Sequence, residues 1–277
     1  MKILHTIRET TNFLNSLNGS IGFVPTMGAL HEGHMTLIRR AKEESDICVS
    51  SIFVNPTQFD NQSDLEKYPR TLEKDCELLL KNGCDVVFAP SAEEMYSTLP
   101  NIHFDFGAIE RVMEGANRKG HFNGVGIVVS KLFHIVQPDK AYFGLKDLQQ
   151  VAIIKQMVSD LSFQIEIVPC ETAREENGLA RSSRNERLPI EARASAGLIQ
   201  EAIQEAKKLL QSGSSVLETK ERISDLFKKH PEFEPEYFEV SDFDTLQPID
   251  KIDESKTTAI CTAVWLEGVR LIDNTIF

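Results

Sequence analysis

Two histidines three positions apart, His31 and His34, are the side chains in this sequence best arranged to do chemistry. They stand in Gly22–Arg39, GFVPTMGALHEGHMTLIR. The stretch opens β-prone at Ile21, Phe23 and Val24, is stopped by Pro25, and crosses the small-residue loop Thr26–Leu30. Apolar spacing then predicts a helix from about Gly33 to Glu44. His34, Leu37, Ile38 and Ala41 share one face of it, with Arg39, Arg40 and Glu43 pointing away. A strand, a glycine turn and a helix N-terminus together make an anion site. Free backbone N–H groups and the positive dipole end face whatever lies past the strand. One helical turn brings both imidazoles to that site. It suits a triphosphate with a carboxylate beside it. Two histidines at this spacing also fit a surface accident or half of a metal site; the strand and the Pro-Thr-Met-Gly turn before them favour the anion.

The elements that must position this site follow from periodicity. Helices are predicted at Thr6–Leu17, from Thr71 to Lys81 with Gly83 as C-cap, at Ile109–Met113, Gly126–Val136 and Leu148–Leu161. Strands are predicted at Ile21–Val24, Ile47–Val54, Val86–Ala89, His103–Phe106, Ala141–Phe143 and Phe163–Val168. Asp60–Tyr68 reads as a polar stretch, and Glu114–Val125 as a glycine-rich basic loop. Strands alternating with helices mean a parallel sheet with right-handed crossovers. Composition changes after Cys170, where Glu171–Asn185 is polar and turn-rich. Helices at Glu191–Leu210 and Ser215–Lys229 then precede strands at Tyr237–Val240, Thr258–Leu266 and Val269–Ile272. The class is α/β: a Rossmann-like parallel-sheet domain over residues 1–174 and a smaller α+β domain over 175–277.

At 277 residues, 41% hydrophobic and 26% charged, the chain has the make-up of a soluble globular protein of about two domains. Its longest apolar runs are too short to span a bilayer, and no signal-peptide core follows Met1, so the expected location is cytoplasmic with no membrane partner. A net charge of −12 argues against nucleic acid, which wants a basic face. Five scattered cysteines without a C-x-x-C read as buried free thiols.

Ligands of an open parallel sheet bind beyond the carboxyl ends of its strands. Four strand ends here carry polar residues: Pro25–His34, Asn55–Gln58, Gly144–Gln150 and Thr172–Arg184. Six motifs run in order over Pro25–Asn185: PTMGALHEGH, NPTQF, DLEKYPRT, RKGHFNGV, YFGLKDLQQ and GLARSSRN. Together they closely resemble the pantothenate synthetase family, the pantoate–β-alanine ligases of the HxGH nucleotidyltransferase superfamily.

The resemblance implies ATP-dependent condensation of (R)-pantoate with β-alanine through a pantoyl adenylate. The C-terminal domain would serve as a lid, and the chain would form a homodimer, for which the Gly126–Val136 helix and an edge strand are the expected surfaces. ATP would be held by Met27, Gly28, Ala29, Leu30, His31, Glu32, Gly33 and His34, and by Gly144, Leu145, Lys146 and Asp147. Ala173, Arg181, Ser182, Ser183 and Arg184 complete the nucleotide set. His34, His31, Lys146, Ser182, Ser183 and Arg184 would be catalytic, with His34 the family's proton donor. Gln58 and Gln150 would bind pantoate, a neutral amide being able to bond both a hydroxyl and a carboxylate. Asn55, Arg118 and His121 would stand around the acyl and β-alanine groups. Magnesium would travel with ATP, with Asp75 a candidate ligand. The sequence departs from the family at Arg181, where Met is usual.

Other readings stand beside these. A nucleotidyltransferase that stops after the first transfer, a tRNA synthetase and a non-catalytic nucleotide sensor share the HxGH signature. Gln58 and Gln150 favour a small hydroxy-acid acceptor. Gly124-x-Gly126 lacks the third glycine of a dinucleotide loop and reads as backbone packing. His134 reads as a core or interface residue, and at least one of Gln149 and Gln150 as solvated.

Overall fold

Six short apolar runs pair into one parallel sheet in the computed structural model, which describes residues 1–59 and 62–277. Asp60 and Asn61, at the head of the predicted polar stretch, lie outside the described residues. The strands are β1 (Lys2–Leu4), β2 (Ile21–Thr26), β3 (Ile47–Ile52), β4 (Val86–Phe88), β5 (Lys140–Gly144) and β6 (Glu166–Cys170). The helices of the first 160 residues are α1 (Ile7–Leu14), α2 (Glu32–Glu44), α3 (Gln62–Lys67), α4 (Leu72–Lys81), α5 (Ala92–Met95), α6 (Met113–Asn117), α7 (His121–Val136) and α8 (Leu148–Asp160). Then come α9 (Ile190–Ser195), α10 (Leu198–Gln211) and α11 (Val216–Lys228), with β7 (Phe233–Asp242), β8 (Thr258–Leu266) and β9 (Val269–Ile276).

The parallel sheet has the Rossmann-like order β1-β4-β3-β2-β5-β6. Phe23 in β2 lies beside Val49 on one side and Ala141 on the other. Consecutive residues of β2 and β3 are buried, so both faces of the sheet are covered, as a parallel sheet requires. The order reverses at β2, with β3 and β4 to one side and β5 and β6 to the other. In open parallel sheets ligands bind at such a reversal, beyond the carboxyl ends of the strands, here β2 and β5.

The chain forms two compact units, and they are not divided by one cut. The first holds Met1–Phe106, Arg118–Gly144 and Gln150–Cys170. The second holds Gly107–Asn117, Leu145–Gln149 and Glu171–Phe277. Its sheet is antiparallel, β7-β8-β9. The apolar stripe of α10 (Ile199, Ala202, Ile203, Ala206, Leu210) packs in one core with Ile223 and Phe227 of α11 and Val240, Ile260 and Val264 of the strands. Two excursions of the chain are tied to this unit by polar contacts. Glu114 of α6 accepts from both terminal nitrogens of Arg270 at 2.7 and 2.8 Å and from the Tyr237 hydroxyl at 2.9 Å. Burial and the Glu114 carboxylate push the Tyr237 hydroxyl pKa up, which keeps it a proton donor.

Several elements differ from the sequence pattern for identifiable reasons. Pro25 does not stop β2; it pairs with Ser51. The pairing to β5 is made at Gly22 and Phe23, so the missing proline N–H falls where β2 has left that neighbour. His103–Phe106 is not a strand. The Phe104 N–H donates to Asn123 Oδ1 at 2.9 Å, and the Phe104 and Phe106 rings stack 5.8 Å apart. In place of a helix at Ile109–Met113 there is a 3-10 turn at Gly107–Glu110 followed by α6. The glycine-rich segment is largely helical, because α7 already starts at His121 after Gly120 at φ 76°. The last strand of the sheet lies three residues later than expected, at Glu166–Cys170.

The helix expected over Glu191–Leu210 is two. Asn177 Nδ2 takes the Arg193 and Ala194 carbonyls at 2.8 and 3.2 Å, which a continuing helix would need. The Asn177 carbonyl also lies 2.2 Å from where a Cβ on Gly197 would stand. The five cysteines are buried free thiols. His134 is exposed rather than in the core, its ring 5.1 Å from Phe163. The α7 side chains offered as a dimer surface are used by this chain itself; Val125, Ile127, Val128, Val129, Leu132, Phe133, Ile135 and Val136 are all buried.

Candidate active site

The loop after β2 is shaped by a carboxylate. The Thr26 hydroxyl donates to the Ser51 carbonyl at 2.6 Å and accepts the Gly28 N–H at 3.2 Å. Gly28 and Ala29 then follow each other at φ 82° and 51°. Two successive left-handed residues aim neighbouring N–H groups at one point, and Asp75 occupies it. Its two oxygens accept from Ala29 N at 3.0 Å and Leu30 N at 2.8 Å, and Thr71 Oγ1 adds a third bond at 3.1 Å. Asp75 is 1% exposed. Asp75, the candidate magnesium ligand, thus spends three acceptor positions on the loop, two on backbone N–H groups and one on the Thr71 hydroxyl. Among the described residues no group of three His, Cys, Asp or Glu side chains could hold a metal.

At the N-terminus of α2 the imidazoles themselves take two of the backbone N–H groups. His31 is the N-cap of α2, and its Nδ1 accepts the Gly33 N–H at 3.1 Å. His34 reaches back, its Nδ1 accepting the His31 N–H at 3.3 Å. This is a capping box built from two imidazoles, with ring centroids 4.1 Å apart. An accepting Nδ1 carries no proton, so each neutral ring bears its hydrogen on Nε2. Glu32, one residue on, is exposed and paired with Arg39.

The turn after β3 carries Gln58. Asn55 Nδ2 donates to Gln58 Oε1 at 3.0 Å and to the Gly124 carbonyl at 3.2 Å. Asn55 Oδ1 accepts from Thr57 Oγ1 at 3.0 Å and Tyr96 at 2.9 Å. Gln58 Nε2 lies 3.2 Å from Met27 Sδ. His121 Nδ1 contacts the Gln58 carbonyl at 2.9 Å, and its Nε2 meets Arg118 Nη1 at 3.1 Å. Met27, Asn55, Gln58, Arg118 and His121 are thus brought together in the first unit, with Asn55 and His121 holding Gln58. A Cβ on Gly124 would stand 2.2 Å from the Thr57 carbonyl, so the close approach of α7 to this turn needs glycine. The packing reading of that glycine pair holds.

The remaining candidates lie in the second unit, except Gly144 and Gln150, which belong to the first. Lys146 and Asp147 sit on a 3-10 turn, Leu145–Asp147, and pair at 3.2 Å. Gln149 is buried, not solvated. Its amide donates to the Ile109 and Val112 carbonyls at 2.8 and 2.9 Å and accepts the Glu114 N–H at 2.9 Å. Gln150 is half-buried. Arg181 and Ala173 are backbone partners at 2.9 Å, and Arg181 Nε bends onto the Arg174 carbonyl at 3.1 Å. Ser182 caps the 3-10 segment Ser183–Arg187 by accepting the Arg184 N–H at 3.2 Å. Lys146, Ser182, Asn185 and Asp273 line one small hollow.

Sequence reasoning missed what holds these residues. Asn185 donates to Glu175 at 2.8 Å and to the Ala180 carbonyl at 3.0 Å, and Arg193 grips both Glu175 oxygens at 2.9 Å. A polar run such as Glu171–Asn185 hints at such a network without naming its partners. Burial alone would raise the Glu175 pKa, but the bonds from Arg193 and Asn185 outweigh it and hold the carboxyl below its ordinary 4.5.

Two outcomes are expected. Asp75→Ala leaves two loop N–H groups and a hydroxyl without their acceptor, at a cost of about 1–3 kcal/mol for each donor left buried. Urea unfolding should show that loss, and ATP KM should rise about tenfold as the loop relaxes. Glu175 contributes stability that is fully present above its unfolded-state pKa and is lost as pH falls through the lower folded value. The stability gap between the parent chain and Glu175→Gln should thus be full at pH 7 and shrink steadily below pH 4.5, read from urea unfolding across that range.

Comparison with known proteins places the sequence and the fold in one family. The family described as pantoate-beta-alanine ligase matches residues 2–276. A pantothenate synthetase of Cytophaga hutchinsonii is 49% identical over 260 residues, covering 94% of this chain and 92% of its own length. One from Bacteroides thetaiotaomicron is 46% identical over 277 residues, with 99% and 98% covered. The crystal structure of pantothenate synthetase from Thermus thermophilus superposes with a TM-score of 0.93 at 40% identity over 99% of both chains. Pantoate-beta-alanine ligase from Francisella tularensis, complexed with beta-gamma ATP and beta-alanine, gives 0.79 at 35% identity, covering 100% of this chain and 97% of that one. The chain belongs to the pantoate–β-alanine ligase family, the pantothenate synthetases.

Proposed function

We propose that this enzyme condenses (R)-pantoate with β-alanine at the expense of ATP, through a pantoyl adenylate. The observation that carries the proposal is the imidazole capping box of α2, which fixes the proton of both rings on Nε2. A pantoate carboxylate oxygen attacks the α-phosphorus, and the bond to the bridging oxygen of pyrophosphate breaks. Negative charge grows on the phosphate oxygens as it does. His31 and His34 supply Nε2–H donors to that charge. Lys146, Ser182, Ser183 and Arg184 supply further donors to phosphate. In the second step the neutral amine of β-alanine attacks the acyl carbon. AMP leaves with the electrons of the acyl–phosphate bond, and the new amide nitrogen sheds its proton.

Gln58, held by Asn55 and Met27, binds pantoate with Gln150. Arg118 and His121 serve the β-alanine side. Gly28, Ala29 and Leu30 shape the nucleotide loop rather than offering N–H groups to phosphate, since those groups are bonded within the chain. Asp147 pairs with Lys146 and fixes the nucleotide beside it. Ala173 and Arg181 bring paired backbone to the base. Magnesium arrives as part of the ATP substrate, coordinated by phosphate and water.

Pantoate-dependent exchange of pyrophosphate into ATP, without β-alanine, tests the first step. The parent chain should exchange, and His34→Ala should lose about 2–4 kcal/mol of transition-state stabilisation, roughly 30- to 1,000-fold in rate. Adding β-alanine should then yield pantothenate. Folded protein that binds ATP but neither exchanges nor forms amide would refute the assignment. The chain also works as a homodimer in this reading. Sedimentation at micromolar concentration should show the doubled mass, and a monomer there removes the claim.

A further inference from the structure

We infer that Asn274, near the end of β9, is a positioning residue for Lys146. Asn274 is 7% exposed, and its side-chain amide has two hydrogens to give. Nδ2 gives them to two consecutive carbonyls, Leu145 and Lys146, each at 2.8 Å. Those carbonyls belong to the 3-10 turn that carries the Lys146 ammonium. A short turn has few internal bonds of its own, so its orientation is set by what grips it.

The grip is itself held. The Asn274 N–H donates to Asp273 Oδ1 at 2.8 Å. Asp273, 4% exposed, takes a two-pronged contact from Arg174 at 2.7 and 2.9 Å. Arg174 also donates to the Gly178 carbonyl at 3.0 Å, inside the bend that leads to Ser182. One chain of polar contacts therefore runs from the segment before Ser182, through Arg174, Asp273 and Asn274, to Lys146. Every member lies in the second unit. The apolar strand pattern around them makes two adjacent buried polar residues in β9 costly unless each is bonded. Lys146 and Ser182–Arg184, which follow different strands in sequence, are by this route parts of one assembly.

The inference rests on the reading of Lys146 as a ligand of the triphosphate. A misplacement of about 1 Å in such a group costs up to roughly a hundredfold in rate. The test is a double-mutant cycle in pyrophosphate exchange, comparing Asn274→Ala, Lys146→Ala and the pair. Asn274→Ala should lower the exchange kcat about tenfold, Lys146→Ala about a hundredfold, and the pair no further than Lys146→Ala alone. Additive losses would overturn the inference, because Asn274 would then act independently of Lys146. So would an unchanged kcat in Asn274→Ala. Full activity of Lys146→Ala would refute the reading of Lys146 itself and is told apart by that single variant. Thermal melting accompanies each variant. If Asn274→Ala does not fold, Asn274→Ser, which keeps one donor, carries the same cycle with an intermediate loss expected.

Discussion

The first turn of any helix leaves backbone N–H groups without intrahelical partners. In α2 the groups at His31 and Gly33 are taken by the imidazole nitrogens of His34 and His31. What the two rings can present outward depends on that choice. A serine or aspartate cap would satisfy the backbone equally well. An aspartate would end there with no donor to present, and a serine would keep only its own hydroxyl hydrogen, close in at the cap. An imidazole has a second nitrogen on its far side, and bonding at Nδ1 sets the hydrogen on Nε2. The positive end of the helix is thereby passed outward through two rings. Protonating Nδ1 would break the cap, so the fold and the tautomer are held by the same two bonds.

The other side chains at the strand ends are also spent largely on each other. Asp75 absorbs the Ala29 and Leu30 N–H groups. Asn55 ties Gln58 to the backbone of α7 and to Tyr96. Such groups are expensive to bury singly and inexpensive when each donor meets an acceptor. The Gln58 side chain is braced on two sides, by Asn55 and by Met27. Gly124 belongs to this set although it has no side chain, since its absence of a Cβ lets α7 approach the Thr57 carbonyl.

Much of the fold is legible in the sequence because hydrophobic period and chain order are local properties. β2, α2, β3 and α4 follow from apolar spacing, and alternation alone implies the parallel sheet. The pairing of Pro25 with Ser51 is not legible, since it depends on where β5 ends beside it. The break between α9 and α10 depends on Asn177, far from it along the chain. Histidines and glutamines at strand ends stand out by type. What holds them does not, because Asp75 lies some forty residues from Leu30 and Asn274 well over a hundred from Lys146. A carboxylate read from sequence looks like a metal ligand; only its neighbours reveal a backbone clamp. The Asp273-Asn274 pair gives no signal in advance, because the apolar pattern ends at Ile272 and only the structure carries β9 on to Ile276.

A chain of net charge −12 still has to draw in a triphosphate. Bulk charge does not help it, and the cations along α2 are already neutralised: Arg39 by Glu32, Arg40 by Glu44 and Lys42 by Asp85. The attraction must therefore come from oriented dipoles and a few placed charges. Neutral donors held rigidly lose little by reorganising when charge develops, which favours the transition state over the bound ground state. They also leave the carboxylate substrate free to approach, where a dense cluster of cations would bind it wherever it landed. Surface acidity and an anionic substrate are compatible in this fold because attraction is confined to groups whose geometry is fixed by the hydrogen bonds behind them.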